Sequence, residues 1–246
     1  MGATASGRSC RGLRLARPAA DMSGAVAQER LGPPLLHDPA PDFLARTTMG
    51  DRSLLGYRGQ WLLLFSHPAD FTPVCTSEFV AFARAADDFS ALNCALLALS
   101  VDSLFSHLAW IRSIRAQFGV TVPFPIIEDP SMAIAQAYGM ISPRARDTAM
   151  VRAIFVIDPE GIIRAISWYP MTTGRSVAEL LRLVSALQMT DAHGVSTPEA
   201  WQPGQDVILP PPMTAPDALD AGGAEGDWYY RTASPEALAH KPKRRP

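Results

Sequence analysis

Three short, unbroken apolar runs, at residues 61–65, 95–99 and 153–157, constrain this chain more than any other feature. Each has the length of a strand and is too short for a buried helix. A strand that is apolar at every position must be covered on both faces, whereas a half-exposed strand alternates. The covering layers are visible as helical stripes. Residues 73–92 carry Phe79, Phe82, Ala83, Ala86 and Phe89 at helical spacing. Leu104, Leu108, Ile111, Arg115 and Phe118 form a second stripe, whose one charged member can snorkel. Val177, Leu180, Leu181, Val184 and Leu187 form a third. Strands interleaved with helices predict an α/β layered domain. The sheet should be mixed, because Asp158-Pro159-Glu160-Gly161 is a turn that folds 162–168 back against 153–157.

Smaller elements fill the gaps. Residues 42–47 and 53–55, separated by Gly50-Asp51, read as a short hairpin that begins the folded sequence near Pro41. Residues 124–127 are extended, and 132–138 form a short helix ended by Gly139. Beyond Thr197, Pro198, Pro203, Pro210, Pro211, Pro212 and Pro216 break regular structure. The expected division is a leader at 1–34, a main domain at 35–194 and a C-terminal arm at 195–246. The arm should hold short strands at 207–209 and 227–231 and end in a solvated basic tail at 241–245.

With 48% hydrophobic and 19% charged residues in a chain of 246, the composition is globular. A net charge of −2 gives no electrostatic reason for a nucleic-acid partner. No apolar run has the length to cross a bilayer, so no membrane partner is expected. The three cysteines, Cys10, Cys75 and Cys94, have no short spacing, which argues against a disulfide scaffold and a zinc cluster. His37, His67, His107, His193 and His240 show no paired ligand spacing, so no metal and no cofactor are expected. A reducing, cytoplasmic setting is the default. Arg8, Arg11, Arg14 and Arg17 precede the first acid, Asp21, as in an organellar transit peptide. A disordered leader, or a spurious one before a start at Met22, is nevertheless the expectation, with organellar targeting the alternative.

The chemistry concentrates between the first apolar run and the first stripe, in Phe65-Ser66-His67-Pro68-Ala69-Asp70-Phe71-Thr72-Pro73-Val74-Cys75. Thr72 suits an N-cap, and Pro73 suits the first helical position, where its missing N–H is not needed. Cys75 then falls in the first turn, at the third helical position. Free backbone N–H groups and the positive end of the helix dipole favour a thiolate there, and the thiolate is the nucleophilic form. Cys94, at the entry of an apolar strand, reads as a small buried hydrophobe.

Pro68-x-x-x-Thr72-x-x-Cys75 resembles the peroxiredoxin active-site signature, and Val151-Arg152-Ala153 resembles the family's arginine at the entry of a central strand. The segments Tyr169-Pro170-x-Thr172-Thr173-Gly174-Arg175 and Thr197-Pro198-x-x-Trp201 are similar to the one-cysteine subfamily. The resemblance runs over roughly residues 35–232. It implies a thioredoxin-like fold with a central mixed sheet flanked by helices and a C-terminal arm. It also implies a thiol peroxidase for hydrogen peroxide and organic hydroperoxides. Cys75 would attack the peroxide and become a sulfenic acid, Thr72 would hold the peroxide oxygens, and Arg152 would stabilise the thiolate and leaving oxygen. Pro68 would shield the thiolate, Glu78 would orient an arginine, and His67 would line the pocket. No cysteine follows Cys94, so the resemblance implies an external reductant, glutathione or a thioredoxin-like protein, and a homodimer. Three other readings remain: a thiol–disulfide oxidoreductase, which would want Cys-x-x-Cys where Cys75-Thr76-Ser77-Glu78 stands; a redox-dependent chaperone; and a metal enzyme.

Overall fold

The computed structural model describes residues 1–2, 32–141, 149–220 and 228–239. Residues 3–31 of the expected leader, with Cys10 and Met22, and the basic tail at 241–245 lie outside these residues. In chain order the elements are β1 (Leu44–Ala45), β2 (Arg52–Ser53), β3 (Trp61–Ser66), α1 (Pro73–Arg84), α2 (Ala86–Ala91), β4 (Cys94–Ser100), α3 (Leu104–Phe118), β5 (Ile126–Glu128), α4 (Ala133–Ala137), β6 (Arg152–Ile157), β7 (Ile163–Tyr169), α5 (Val177–His193), β8 (Val207–Ile208), α6 (Ala215–Asp220), β9 (Thr232–Ala233) and α7 (Pro235–Ala239).

The three apolar runs are β3, β4 and β6, neighbours at the centre of a five-stranded sheet of order β5-β4-β3-β6-β7. β3, β4 and β5 run parallel, β6 runs antiparallel to β3, and β7 turns back antiparallel to β6 and so shares the direction of β3, which makes the sheet mixed. Alternation along β3 divides the core. Leu63 and Phe65 join Phe79, Phe82, Phe89, Trp110 and Phe124 on one face. Leu62 and Leu64 join Leu97, Leu99, Tyr138 and Phe155 on the other. Continuous burial on both faces explains why these strands read as unbroken apolar runs. A smaller cluster of Ala186, Val195, Trp201, Val207 and Leu238 ties the C-terminal segment to the end of α5.

Several elements differ from the sequence expectation. The stripe at 73–92 is two helices that meet at Ala85. Apolar spacing is the same for one helix or two, and no Gly or Pro marks the join. In α3 the buried face is His107, Trp110 and Ile114, while Leu108, Arg115 and Phe118 are exposed. A histidine at a core position masked the true stripe. The expected short hairpin is present, with β1 paired antiparallel to β2, but its second arm stops at Ser53, which caps a 3-10 turn at Leu54–Tyr57 by accepting from the Gly56 N–H. The last strand pairs β8 through 232–233, whereas Trp228, Tyr229 and Tyr230 of the expected strand are exposed. Order also begins earlier than Pro41. Pro34 is buried, His37 donates its N–H to Ile163, and Ala40 donates to Gly161. That segment is held by backbone bonds and so carries no apolar period.

Candidate active site

β3 ends at Ser66, whose hydroxyl donates to the Val151 carbonyl at 2.6 Å and accepts the Ala153 N–H at 3.0 Å. This side chain locks the end of β3 to the start of β6. The turn 67–72 then leads into α1. Thr72 is the N-cap in extended geometry (φ −96°, ψ 148°), and Pro73 opens the helix. Cys75 follows in the first turn and is fully buried. One expectation fails in detail: the Thr72 side chain makes no capping bond. Its hydroxyl instead donates to the Ala69 carbonyl at 2.8 Å. The proton of that hydroxyl is thereby committed, and its lone pairs are left to accept from another donor.

Arg152 enters from β6, which lies beside β3, so both elements deliver their chemistry to one end of the sheet. Its Nη1 lies 3.3 Å from the Cys75 sulfur and 2.8 Å from Glu78 Oε2. Its Nε and Nη2 donate to the Met171 carbonyl at 2.9 and 2.7 Å. Glu78 also takes a second arginine. Arg175 donates its backbone N–H and its Nε to Oε1, each at 2.8 Å, and its Nη2 to Oε2 at 2.7 Å. Arg175 Nη1 donates to the Ser66 and Ala153 carbonyls, both at 2.9 Å. Its guanidinium also sits over the Phe65 ring at 5.3 Å. Arg152, Arg175 and Glu78 are all buried. Burial alone would raise the Glu78 carboxyl, but the Arg175 hydrogen bonds and the charges of Arg175 and Arg152 outweigh it and hold it below its ordinary value.

The structure thus brings together Cys75, Arg152 and Glu78, with Thr72 at the helix entrance and Pro68 buried on the same turn. His67 is also buried, but its hydrogen bond is to Asp70: Nε2 lies 2.9 Å from Oδ1. Asp70 Oδ2 faces His107 Nδ1 at 2.8 Å. Burial would raise the Asp70 carboxyl, yet hydrogen bonds from His107 and His67 hold it well below the usual range. Burial lowers the His67 ring more than Asp70 raises it. Sequence reasoning missed Arg175, Asp70 and His107. Arg175 stood at the end of a quoted segment, and no local signal linked Asp70 to a residue 37 positions away.

His67, Asp70 and His107 offer ligand atoms within 4.8 Å of one another. They do not suit a metal. Their contacts of 2.8–2.9 Å are hydrogen-bond distances, whereas ligands of one tetrahedral zinc sit roughly 3.3 Å apart, and a closed site needs four of them. Cys94 lies at the opposite end of β3–β4, paired in register with Trp61. Burial pushes its thiol up to about 12, which makes it a poor nucleophile.

Residues 36–166 match the model of the AhpC/TSA family, and residues 186–221 match the C-terminal domain of 1-Cys peroxiredoxin. A peroxiredoxin of Aquifex aeolicus is 50% identical over 210 residues, covering 80% of this chain and 95% of the relative. A yeast mitochondrial 1-Cys peroxiredoxin, whose thiol is described as resolved via glutathione/thioredoxin systems, has a solved structure similar to this one. Its TM-score is 0.74 at 41% identity, with 81% of this chain and 99% of that chain covered. Peroxiredoxin 6 of Arenicola marina gives a TM-score of 0.72 at 33% identity, covering 81% of this chain and 97% of its own. These matches carry the thioredoxin-like fold with them. With a helix-start cysteine under an arginine and relatives at this identity, the chain belongs to the AhpC/TSA family, in its one-cysteine peroxiredoxin branch, and is a thiol peroxidase.

Proposed function

We propose that Cys75 reduces hydrogen peroxide and organic hydroperoxides by a one-cysteine cycle. The observation that carries this is the 3.3 Å approach of Arg152 Nη1 to a sulfur in the first turn of α1. Two buried guanidiniums share one carboxylate, so the cluster keeps one uncompensated positive charge until Cys75 ionises. Uncompensated buried charge is costly, which favours the thiolate. The thiolate attacks the terminal oxygen of ROOH. An S–O bond forms, the O–O bond breaks with its electron pair on RO, and RO⁻ takes a proton from water to leave as ROH. Cys75 is oxidised to the sulfenic acid. Arg152 neutralises the charge growing on the leaving oxygen, and Thr72 Oγ1, its own proton held by Ala69, accepts from the peroxide O–H. Glu78 is a positioning residue for Arg152, and Pro68 screens the sulfur from water.

Cys94 is the other cysteine among the described residues and is inert, so an external thiol completes the cycle. It attacks the sulfenic sulfur and releases water as a mixed disulfide forms; a second thiol then displaces Cys75. Glutathione and thioredoxin-type reductants fit this step. We read 35–194 as the peroxidase domain, 195–246 as its arm, and β7 beyond Ile163, where the outer strand of the sheet is no longer covered by segment 37–40 and Trp168 is half-exposed, as the pairing edge of a homodimer. Peroxide consumption with glutathione and with thioredoxin, comparing wild type with Cys75→Ser and Cys94→Ser, tests the reading. Only Cys75→Ser should lose turnover; loss in Cys94→Ser would sink it.

A further inference from the structure

We propose that Asp70 and His107 are positioning residues of the peroxidase, a buried carboxylate–imidazolium pair that fixes the turn 67–72 and, through the Ala69–Asp70 peptide, the hydroxyl of Thr72. The proposal rests on the roles of Cys75 and Thr72 given above.

Counting protons leads to the pair. His67 and His107 are fully buried, and Asp70 is 7% exposed. A carboxylate only accepts, so each ring nitrogen facing Asp70 must carry a hydrogen. For His67 one proton suffices: Nε2–H donates to Oδ1, and Nδ1 stays bare, with no partner in the structure. For His107 one is not enough. Nδ1 faces Asp70 Oδ2 at 2.8 Å, and Nε2 faces the Ile127 carbonyl at 3.2 Å. With Asp70 ionised, as the hydrogen bonds that hold its carboxyl well below the usual range require, both are acceptors, so both nitrogens carry hydrogen and the ring is positive. Two further carboxylates border the turn and the start of α3. Asp102 takes the Asp70 backbone N–H at 2.9 Å. Glu128 takes the Leu104 N–H at the start of α3 at 2.8 Å and pairs outward with Arg46. A buried carboxylate with no counter-charge costs several kcal/mol, and His107 is the group placed to supply it.

The pair reaches the site through one peptide plane. The Ala69 carbonyl accepts the Thr72 hydroxyl at 2.8 Å, and the N–H of the same peptide, that of Asp70, donates to Asp102. Moving Asp70 therefore moves the acceptor that orients Thr72. The turn also holds Phe71 at φ 56°, a left-handed conformation rare for a bulky residue. Such a conformation persists where its surroundings over-determine it. Asp70 bonds His67, whose backbone N–H is held by Leu99 of β4, and His107 of α3, whose ring also reaches the Ile127 carbonyl of β5, and so supplies that constraint.

Nitrogen-resolved imidazole NMR of the reduced protein at neutral pH reads the proton count directly. His107 should show both nitrogens protonated, and His67 only Nε2. Asp70→Asn can still accept from His67 and donate to a neutral His107, so it removes the charge while keeping the shape. In single turnover, its Cys75 oxidation by hydrogen peroxide should fall about 10–100-fold, while alkylation by iodoacetamide, which does not use Thr72, changes by less than about twofold. His107→Gln should behave alike. The proposal is overturned by a neutral His107 in the wild type, by wild-type oxidation in Asp70→Asn, or by alkylation and oxidation falling together. Stoichiometric zinc lost in His107→Gln also overturns it. Peroxide consumption that survives Cys75→Ser would defeat the reading of Cys75 instead, and leaves the NMR assignment to stand or fall separately.

Discussion

Replacing Glu78 by Gln tests the electrostatic frame of the site. Glu78 Oε1 accepts the Arg175 N–H and Nε–H, and Oε2 accepts Arg152 Nη1 and Arg175 Nη2, all at 2.7–2.8 Å. A glutamine can keep the bonds at one oxygen. Its amide NH₂ then faces two guanidinium donors, and two buried positive charges lose their shared anion. Removing one partner of a buried ion pair costs about 3–5 kcal/mol. Bonds from Arg152 to the Met171 carbonyl and from Arg175 to Ser66 and Ala153 remain, which favours the lower end. For a chain of this length the loss corresponds to a Tm lowered by about 6–20 °C. Thermal unfolding followed by tryptophan fluorescence measures it, with peroxide turnover assayed well below the transition. Because Glu78 is held below its ordinary 4.5, its stabilisation is present above that pH and is lost as pH falls through its folded value. The gap between wild type and variant should therefore narrow in acid. A gap under about 1 kcal/mol at neutral pH, or one that widens in acid, would refute the reasoning.

Other outcomes follow from the same contacts. Cys94→Ala should leave peroxide turnover within about twofold and lower stability by about 1 kcal/mol, since it removes one sulfur atom from a buried position; urea titration and turnover assays check both. Phe65→Ala should cost about 3–5 kcal/mol in urea unfolding, because that buried ring stacks on Phe82 at 4.3 Å and supports the Arg175 guanidinium. Arg164→Ala removes a partly exposed pair with Asp191 (2.6 and 2.7 Å) and should change stability by only about 1 kcal/mol or less by the same titration.

The central strands were legible in the sequence because β3, β4 and β6 are buried on both faces, and nothing polar interrupts 61–65, 95–99 or 153–157. Cys75 was legible because its position depends on local chain chemistry: an N-cap residue, a proline and two more steps. The rest of the site was not local. Arg175 meets Glu78 across 97 positions, and Asp70 meets His107 across 37. The pairing of Asp70 with His107 also explains the misread face of α3, since a histidine can occupy a core position only when its polar atoms are satisfied. Thr72 shows the limit of a local rule. It stands at the N-cap, but its hydroxyl is drawn to Ala69 because Phe71 turns the chain back at positive φ. The segment 37–40 was illegible for another reason: it docks on the β6–β7 turn by backbone hydrogen bonds, which leave no side-chain pattern.

The most direct test of the account is to treat the reduced protein with one equivalent of hydrogen peroxide, trap with a sulfenic-acid reagent, and map the product by mass spectrometry. One label, on Cys75, that persists until glutathione or thioredoxin is added is the predicted result, unchanged in Cys94→Ser and absent in Cys75→Ser. A label on Cys94, or a Cys75–Cys94 disulfide in place of the label, would contradict it.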